Sequence, residues 1–242
     1  MKAPKSIPYS MYDAYTMGGA IEVAQFYRND CSVEIQDEIN QNFTKEKFEE
    51  FIQKVKRREV NYYGHTDIWM YEALEKYPIQ GKSVCIVGST CPWYEAMAIE
   101  YGASRCVIFE YGNRETFDER LEYLHPDEIG DIQFDVCFSI SSFEHDGLGR
   151  YGDPLNPNGD LEAMQRAKEY LKKDGLMFLS VPNGVDTLYF NTHRVYGSMR
   201  YPLLIKDWET LARFGFYDNW ETNRYNKGDN SAYQPVAVLR NS

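Results

Sequence analysis

Residues 82–110 constrain the fold of this chain more than any other stretch. Lys82-Ser-Val-Cys-Ile-Val-Gly88 carries an unbroken apolar run, Val84 to Val87, as expected of a parallel strand covered on both faces. Gly88 permits a sharp turn. Pro92 suits the first position of a helix, where its missing N–H costs nothing. Glu95 then falls in the first turn, at the positive end of the macrodipole, and Gly102 is a natural stop. A second apolar run, Cys106 to Phe109, ends in Glu110. The order strand, loop, helix, strand predicts a βαβ unit with a nucleotide-site signature.

The glycine content of that turn narrows the ligand. A dinucleotide fold uses G-x-G-x-x-G so that backbone can approach a pyrophosphate and the helix can pack close to the strand. Here Gly88 stands alone, and Thr90 and Trp93 occupy the region of the other glycines. A ligand without phosphates, such as S-adenosylmethionine, needs only one tight turn and free N–H groups for its carboxylate. Glu110, at the end of the second strand, is placed to accept hydrogen bonds from ribose hydroxyls. The bland alternative is an α/β unit that binds nothing.

Bulk properties exclude several classes. The 242 residues suffice for a substantial core, and the net charge of −11 argues against nucleic acid or an anionic membrane as partner. Twenty tyrosines suit a packed domain rather than a disordered one. Five cysteines (31, 85, 91, 106 and 137) include no C-x-x-C pair, and three fall in expected buried strands, which points to a reducing, cytoplasmic setting. The N-terminus lacks the apolar stretch of a signal peptide, and no run reaches membrane-spanning length.

In chain order, residues 1–41 leave a lid, a homodimer contact or a packed extension open, with the extension favoured. Thr44 is a candidate cap for a helix with Phe48, Phe51, Ile52 and Val55 on one face, and Thr66-Asp67 for a helix ending before Pro78. Leu121 to Leu124 and Phe134 to Ile140 read as strands. Open α/β sheets bind ligands beyond the carboxyl ends of their strands. The connection there, residues 141–160, holds four glycines, two prolines and three aspartates beside His145 and Arg150, a density that specifies one backbone path. Asp160 is expected to cap a helix with Leu161, Met164, Ala167 and Leu171 inward, ending at Lys172-Lys-Asp-Gly175; the strand Gly175 to Pro182 follows. Lys206 to Arg213 is expected as a short helix, Phe216–Trp220 and Pro235–Leu239 as closing strands, and 221–234 as a surface loop.

These features together resemble the class I S-adenosylmethionine-dependent methyltransferases: Gly88, the acidic strand end, the serine-rich strand end before His145, and Leu171-Lys-Lys-Asp-Gly175-Leu-Met-Phe. More narrowly, Gly88-Ser-Thr-Cys-Pro-Trp-Tyr-Glu95, Ser139-Ile-Ser-Ser-Phe-Glu-His145, Gly147-Leu-Gly-Arg-Tyr-Gly-Asp-Pro154 and Asn191-Thr-His-Arg-Val-Tyr-Gly197 are similar to a domain-of-unknown-function branch first found in nematodes and also present in bacteria. The likeness spans about Gly81 to Trp208. It implies an α/β, Rossmann-like fold with a mostly parallel twisted sheet, helices on both faces and an antiparallel C-terminal strand. One domain over residues 1–242 is expected, with 1–78 a mainly helical extension and 79–242 the α/β core.

The resemblance further implies methyl transfer with S-adenosylmethionine as cofactor. Gly88, Ser89 and Thr90 would hold the methionine end, Glu110 the ribose and Tyr111 the adenine, with Trp93, Ser139 and Ser141 as further cofactor-binding candidates; Tyr111 equally suits local packing. His145, with His193 as second candidate, would be the base for a hydroxyl acceptor, against a role in fixing the loop. Arg150, Tyr151, Asp153, Asn183 and Arg194 are candidates for holding a small polar acceptor, a sugar or sugar nucleotide by preference, while either arginine could instead tie the loop aspartates. The aspartate spacing matches no metal motif, so no metal is expected. A nicotinamide-dependent oxidoreductase or epimerase is disfavoured by the lone Gly88 and the lack of Tyr-x-x-x-Lys; a non-catalytic partner protein is the third reading.

Overall fold

A computed structural model describes residues 4–30, 32–110, 116–224 and 233–242. The chain begins with α1 (Tyr12–Thr16), β1 (Glu22–Phe26), α2 (Val33–Asn40), α3 (Lys45–Lys56) and α4 (His65–Lys76). It continues through β2 (Ser83–Val87), α5 (Trp93–Glu100), β3 (Arg105–Phe109), β4 (Leu121–Leu124) and β5 (Phe134–Ile140). Then come α6 (Gly159–Tyr170), β6 (Leu171–Ser180), β7 (Thr187–Asn191), β8 (His193–Val195), α7 (Tyr201–Leu204), β9 (Glu209–Phe214) and β10 (Val236–Arg240).

Seven strands form the main sheet in the order β4-β3-β2-β5-β6-β10-β9. Neighbours run parallel from β4 to β6, and β10 alone is reversed, antiparallel to both β6 and β9. The unbroken apolar runs have a simple cause. Val84 and Ile86 of β2 pack into one core with α3, α4 and α5, whereas Cys85 between them faces a second core with α6 and α7. Side chains alternate across a strand, so a sheet covered on both faces needs apolar residues at every position. The expected fold, including the reversed last strand, is the observed one. Among the described residues no helix is long and apolar enough to cross a membrane.

Thr44 caps α3 as expected, its hydroxyl accepting from the Lys47 amide at 3.2 Å, and Phe48, Phe51, Ile52 and Val55 are buried. Other expectations need correction. Residues 209–214 form an edge strand rather than part of a helix, because pairing with β10 satisfies one side while the other stays open to water. Phe216 to Trp220 is not a strand; Phe216 and Trp220 turn in to pack on each other and on Tyr201. Asp160 does not cap α6, whose cap position is Asn158, and is instead a buried counter-ion. The helix ends at Tyr170 without the glycine, because the Asn241 amide donates to the carbonyls of Lys168, Leu171 and Lys172. Residues 171–174 extend β6 across an irregularity at Asp174 (φ 63°).

The N-terminal region is not purely helical. β1 pairs parallel with β7, and β7 antiparallel with β8, making a second, three-stranded sheet that the sequence did not suggest. It draws the segment after β1 towards the carboxyl ends of β2 and β5: Arg28 and Asn191 exchange two hydrogen bonds at 3.0 Å.

Candidate active site

A cavity of about 1030 Å³ opens at the carboxyl ends of β2, β3 and β5. Three strand-to-loop junctions build its floor: Val87-Gly88, Phe109-Glu110 and Ile140-Ser141. Gly88 lies at φ 67°, and a Cβ there would stand 2.7 Å from Ser142 Oγ. The left-handed backbone angle is what calls for glycine here, since the Ser142 hydroxyl could swing aside. Ser89, Thr90, Glu95 and Glu110 line the cavity on this side, and Ser141 beside them. Glu95 is also fully buried on α5.

The opposite wall comes from residues 141–154, Thr192-His193 and the segment Phe26–Asp30. His145 Nδ1 lies 2.7 Å from the carbonyl oxygen of Thr192. A carbonyl can only accept and the Arg150 guanidinium, 3.1 Å from the same Nδ1, can only donate; the shorter contact, to Thr192, favours the proton on Nδ1 and the lone pair on Nε2. Loss of water contact, then the charge of Arg150, holds the His145 pKa well below its usual value, so the ring is neutral at physiological pH. Arg150 is fixed by Asp30 at 2.7 Å and lies over the Tyr151 ring at 4.8 Å. His193 stacks on Tyr189 with centroids 4.9 Å apart and stands edge-on to His145 at 6.5 Å.

The backbone of the 141–160 loop is held from below. Asp160 is fully buried, 2.6 Å from Arg200 and 3.6 Å from Arg194, and accepts from Tyr196 at 2.9 Å. Burial alone would raise its pKa; the two guanidiniums reverse that and hold it low. Arg194 also donates to the carbonyls of Glu144, Asp146, Asn156 and Pro157, and Arg200 to that of Pro157. Gly147 passes so close to Asn156 that a Cβ would fall 2.0 Å from its carbonyl oxygen.

Several sequence candidates therefore converge: Gly88, Ser89, Thr90, Glu110, Ser141, His145, Arg150, Tyr151, Asp153 and His193 all line the one cavity. Asp153 does so while also closing a turn, accepting from the amides of Gly149 and Tyr151. Four do not converge. Trp93 is fully buried against Phe51, centroids 5.6 Å apart, because its position on α5 faces α3. Ser139 is buried within β5, one residue short of the cavity floor. Asn183 is buried at a bridge to Tyr196, and Arg194 is committed to the loop carbonyls. Tyr111 lies outside the described residues.

Three lining residues were missed. Glu144 is fully buried, accepts from the Ser141 hydroxyl at 2.5 Å and lies 3.6 Å from His145 Nε2. Loss of water pushes its pKa up to about 7. Asp146 is pushed up to about 8, first by burial and next by the charge of Asp153. Both sit beside His145 in sequence, and a cluster of acids around a candidate base was the available signal. Asp30 had none, since its partner Arg150 is 120 residues away.

A family model described as "Caenorhabditis protein of unknown function, DUF268" matches residues 81–233. No curated protein matches the sequence. Among solved structures, the Burkholderia thailandensis 1,6-didemethyltoxoflavin-N1-methyltransferase, with bound 1,6-didemethyltoxoflavin and S-adenosylhomocysteine, is 14% identical, with 90% of this chain and 93% of that one covered and a TM-score of 0.53. NodS, an N-methyltransferase of Bradyrhizobium japonicum WM9 in complex with S-adenosylhomocysteine, is 10% identical over 78% and 97% of the two chains, with a TM-score of 0.47. A putative methyltransferase of Streptococcus mutans is 12% identical over 71% of this chain, with a TM-score of 0.46; this chain spans about half of it, 47%. The first of these likenesses fixes the fold as that of class I methyltransferases.

Proposed function

Because the chain belongs to the DUF268 family and has the fold of class I methyltransferases, we propose that it transfers a methyl group from S-adenosylmethionine to a hydroxyl of a small polar acceptor, with His145 as the base. The observation that carries this reading is the held tautomer of His145. Its Nδ1–H is fixed on Thr192 O at 2.7 Å, and it lines the cavity that holds Gly88 and Glu110.

The cavity residues suit the cofactor. The left-handed turn at Gly88 brings bare backbone to the floor beside Ser142, so a carboxylate could lie against it. Glu110 ends β3 at the same floor and would hold ribose hydroxyls; Ser89, Thr90 and Ser141 add hydroxyl groups. When bound, the cofactor supplies a methyl group on a sulfonium, open to in-line attack. The protein's part is to align the acceptor and remove its proton. His145 Nε2 can take that proton, and burial, with the charge of Arg150 second, keeps the ring neutral beforehand.

For the acceptor, the far wall combines aromatic faces, Phe26 and Tyr151, with Arg28, Asp146 and Asp153. Apolar faces with dispersed hydrogen-bonding groups fit a sugar or a sugar nucleotide. Residues 1–242 act as one catalytic unit in this reading, since Phe26 to Asp30 complete the wall.

The test is incubation with S-adenosylmethionine and a panel of sugars and sugar nucleotides, following S-adenosylhomocysteine release and the mass of the acceptor. Turnover on one of them is expected, falling by roughly 10²-fold or more in His145→Ala while S-adenosylhomocysteine affinity is kept. Undiminished turnover in His145→Ala would remove the base assignment.

A further inference from the structure

We propose that Glu144 is a positioning residue for the histidine base: its carboxylate stabilises the His145 imidazolium, so that the working base is a Glu144–His145 pair. The inference rests on the methyl-transfer reading above. Its geometry is that of the pair itself. Glu144 Oε1 lies 3.6 Å from His145 Nε2, while Nδ1 is committed to the Thr192 carbonyl.

The surroundings leave Glu144 available for this role. Its side chain is fully buried, Oε1 accepts from Ser141 at 2.5 Å, and among the described residues Oε2 has no hydrogen-bond partner. The nearby guanidiniums are committed elsewhere. Arg150 is paired with Asp30 and turns its Nη1 to the His145 ring, 3.1 Å from Nδ1, and Arg194 donates to the backbone carbonyls of Glu144 and Asp146, not to the carboxylate. A buried carboxylate without a paired cation is costly to keep. A transient positive charge on the neighbouring ring supplies the missing partner at the moment of reaction. As the acceptor oxygen bonds to the methyl carbon, the carbon–sulfur bond breaks with its electron pair going to sulfur, and the acceptor's O–H proton passes to Nε2. The ring charge then lies beside the carboxylate. In a low-dielectric site such preorganised charge is worth more than in water.

Only the ionised carboxylate can do this. The groups that bear on it are Arg150 and Arg194, which favour ionisation, and Asp146, Tyr63, Tyr151 and Tyr196 together with the His145 ring. Their balance, with burial, sets its ionisation at about pH 7. Turnover is therefore expected to rise with pH through neutrality, and Glu144→Gln to lose that limb.

The deciding readout needs no acceptor. The chain has four histidines, so the ring nitrogens of His145 can be resolved by ¹⁵N NMR and assigned with His145→Ala. The protein is titrated across neutral pH, with and without saturating S-adenosylhomocysteine. The His145 Nε2 resonance is expected to inflect near pH 7 as Glu144 ionises, to lose the inflection in Glu144→Gln, and to recover it in Glu144→Asp. Glu144→Gln should also cut turnover by roughly tenfold or more with the acceptor KM unchanged. A wild-type titration with no inflection at His145 overturns the pairing, as does an inflection that survives in Glu144→Gln. A flat wild-type titration overturns the pairing even if the glutamine variant does not fold. Failure of the methyl-transfer reading is seen separately, as an absence of S-adenosylhomocysteine binding by the wild-type protein.

Discussion

The two sides of the cavity are built in opposite ways. The Gly88–Glu110 side comes from one local βαβ unit, in which residues 83–110 place a turn, a helix and an acidic strand end within a single supersecondary motif. The His145 side is assembled from afar: Asp30 fixes Arg150 across 120 residues, Thr192 holds His145 across 47, and Arg194 reaches back 48 residues to Asp146. The first side depends on backbone geometry, the second on buried charge. That difference predicts that substitutions on the two sides will fail in different ways.

The largest effect is expected on the assembled side. Asp160→Ala leaves Arg194 and Arg200 buried without their counter-ion, and should cost about 3–5 kcal/mol of stability in denaturant unfolding. A loss under about 1 kcal/mol would mean that the loop is not anchored there. On the local side, Glu110→Ala should leave folding nearly untouched and weaken S-adenosylhomocysteine by roughly tenfold, about 1.4 kcal/mol. Equal affinity in the variant would detach β3 from ribose binding.

Near neutral pH, stability should respond to the buried acids of the assembled side; the ion-paired Asp135, Asp118 and Glu122 elsewhere titrate at more acid pH. Burial raises Asp146 from 3.8 to about 8 and Glu144 from 4.5 to about 7. Between those values the folded chain retains protons that the unfolded chain has released, so stability falls as pH rises through the window. His145 acts in the other direction, losing stability as pH falls below its ordinary value of 6.5. Asp146→Asn should therefore be no more stable than wild type near pH 4 and gain steadily over wild type to pH 8. A variant advantage independent of pH would deny that Asp146 is desolvated. The smallest effect is a control on neither side. Thr44→Ala removes the α3 cap, and should cost about 1 kcal/mol without changing ligand affinity.

The same contrast explains what the sequence disclosed. Gly88, Glu110 and the strand runs were legible because each depends on neighbours a few residues away, where period and turn chemistry act. The three-stranded sheet of β1, β7 and β8 was not, because its pairings join residues 22–26 to 187–191 with no local signature. Trp93 was misplaced by counting from the glycine pattern, which fixes distance along the turn but not the face of α5 on which the indole lies. Residues 206–213 were assigned to a helix because a short mixed run fits both periods; pairing with β10 decided the matter. Asp160 and Arg194 have the residue types of a cap and an anion site, and only their mutual burial reveals a lock beneath the loop.

Calorimetric titration of the protein with S-adenosylhomocysteine, alongside NAD and NADP, tests the central claim most directly. The account predicts a dissociation constant on the order of micromolar for S-adenosylhomocysteine and no heat from either nicotinamide nucleotide. Binding of NAD or NADP, or silence from S-adenosylhomocysteine, would contradict it.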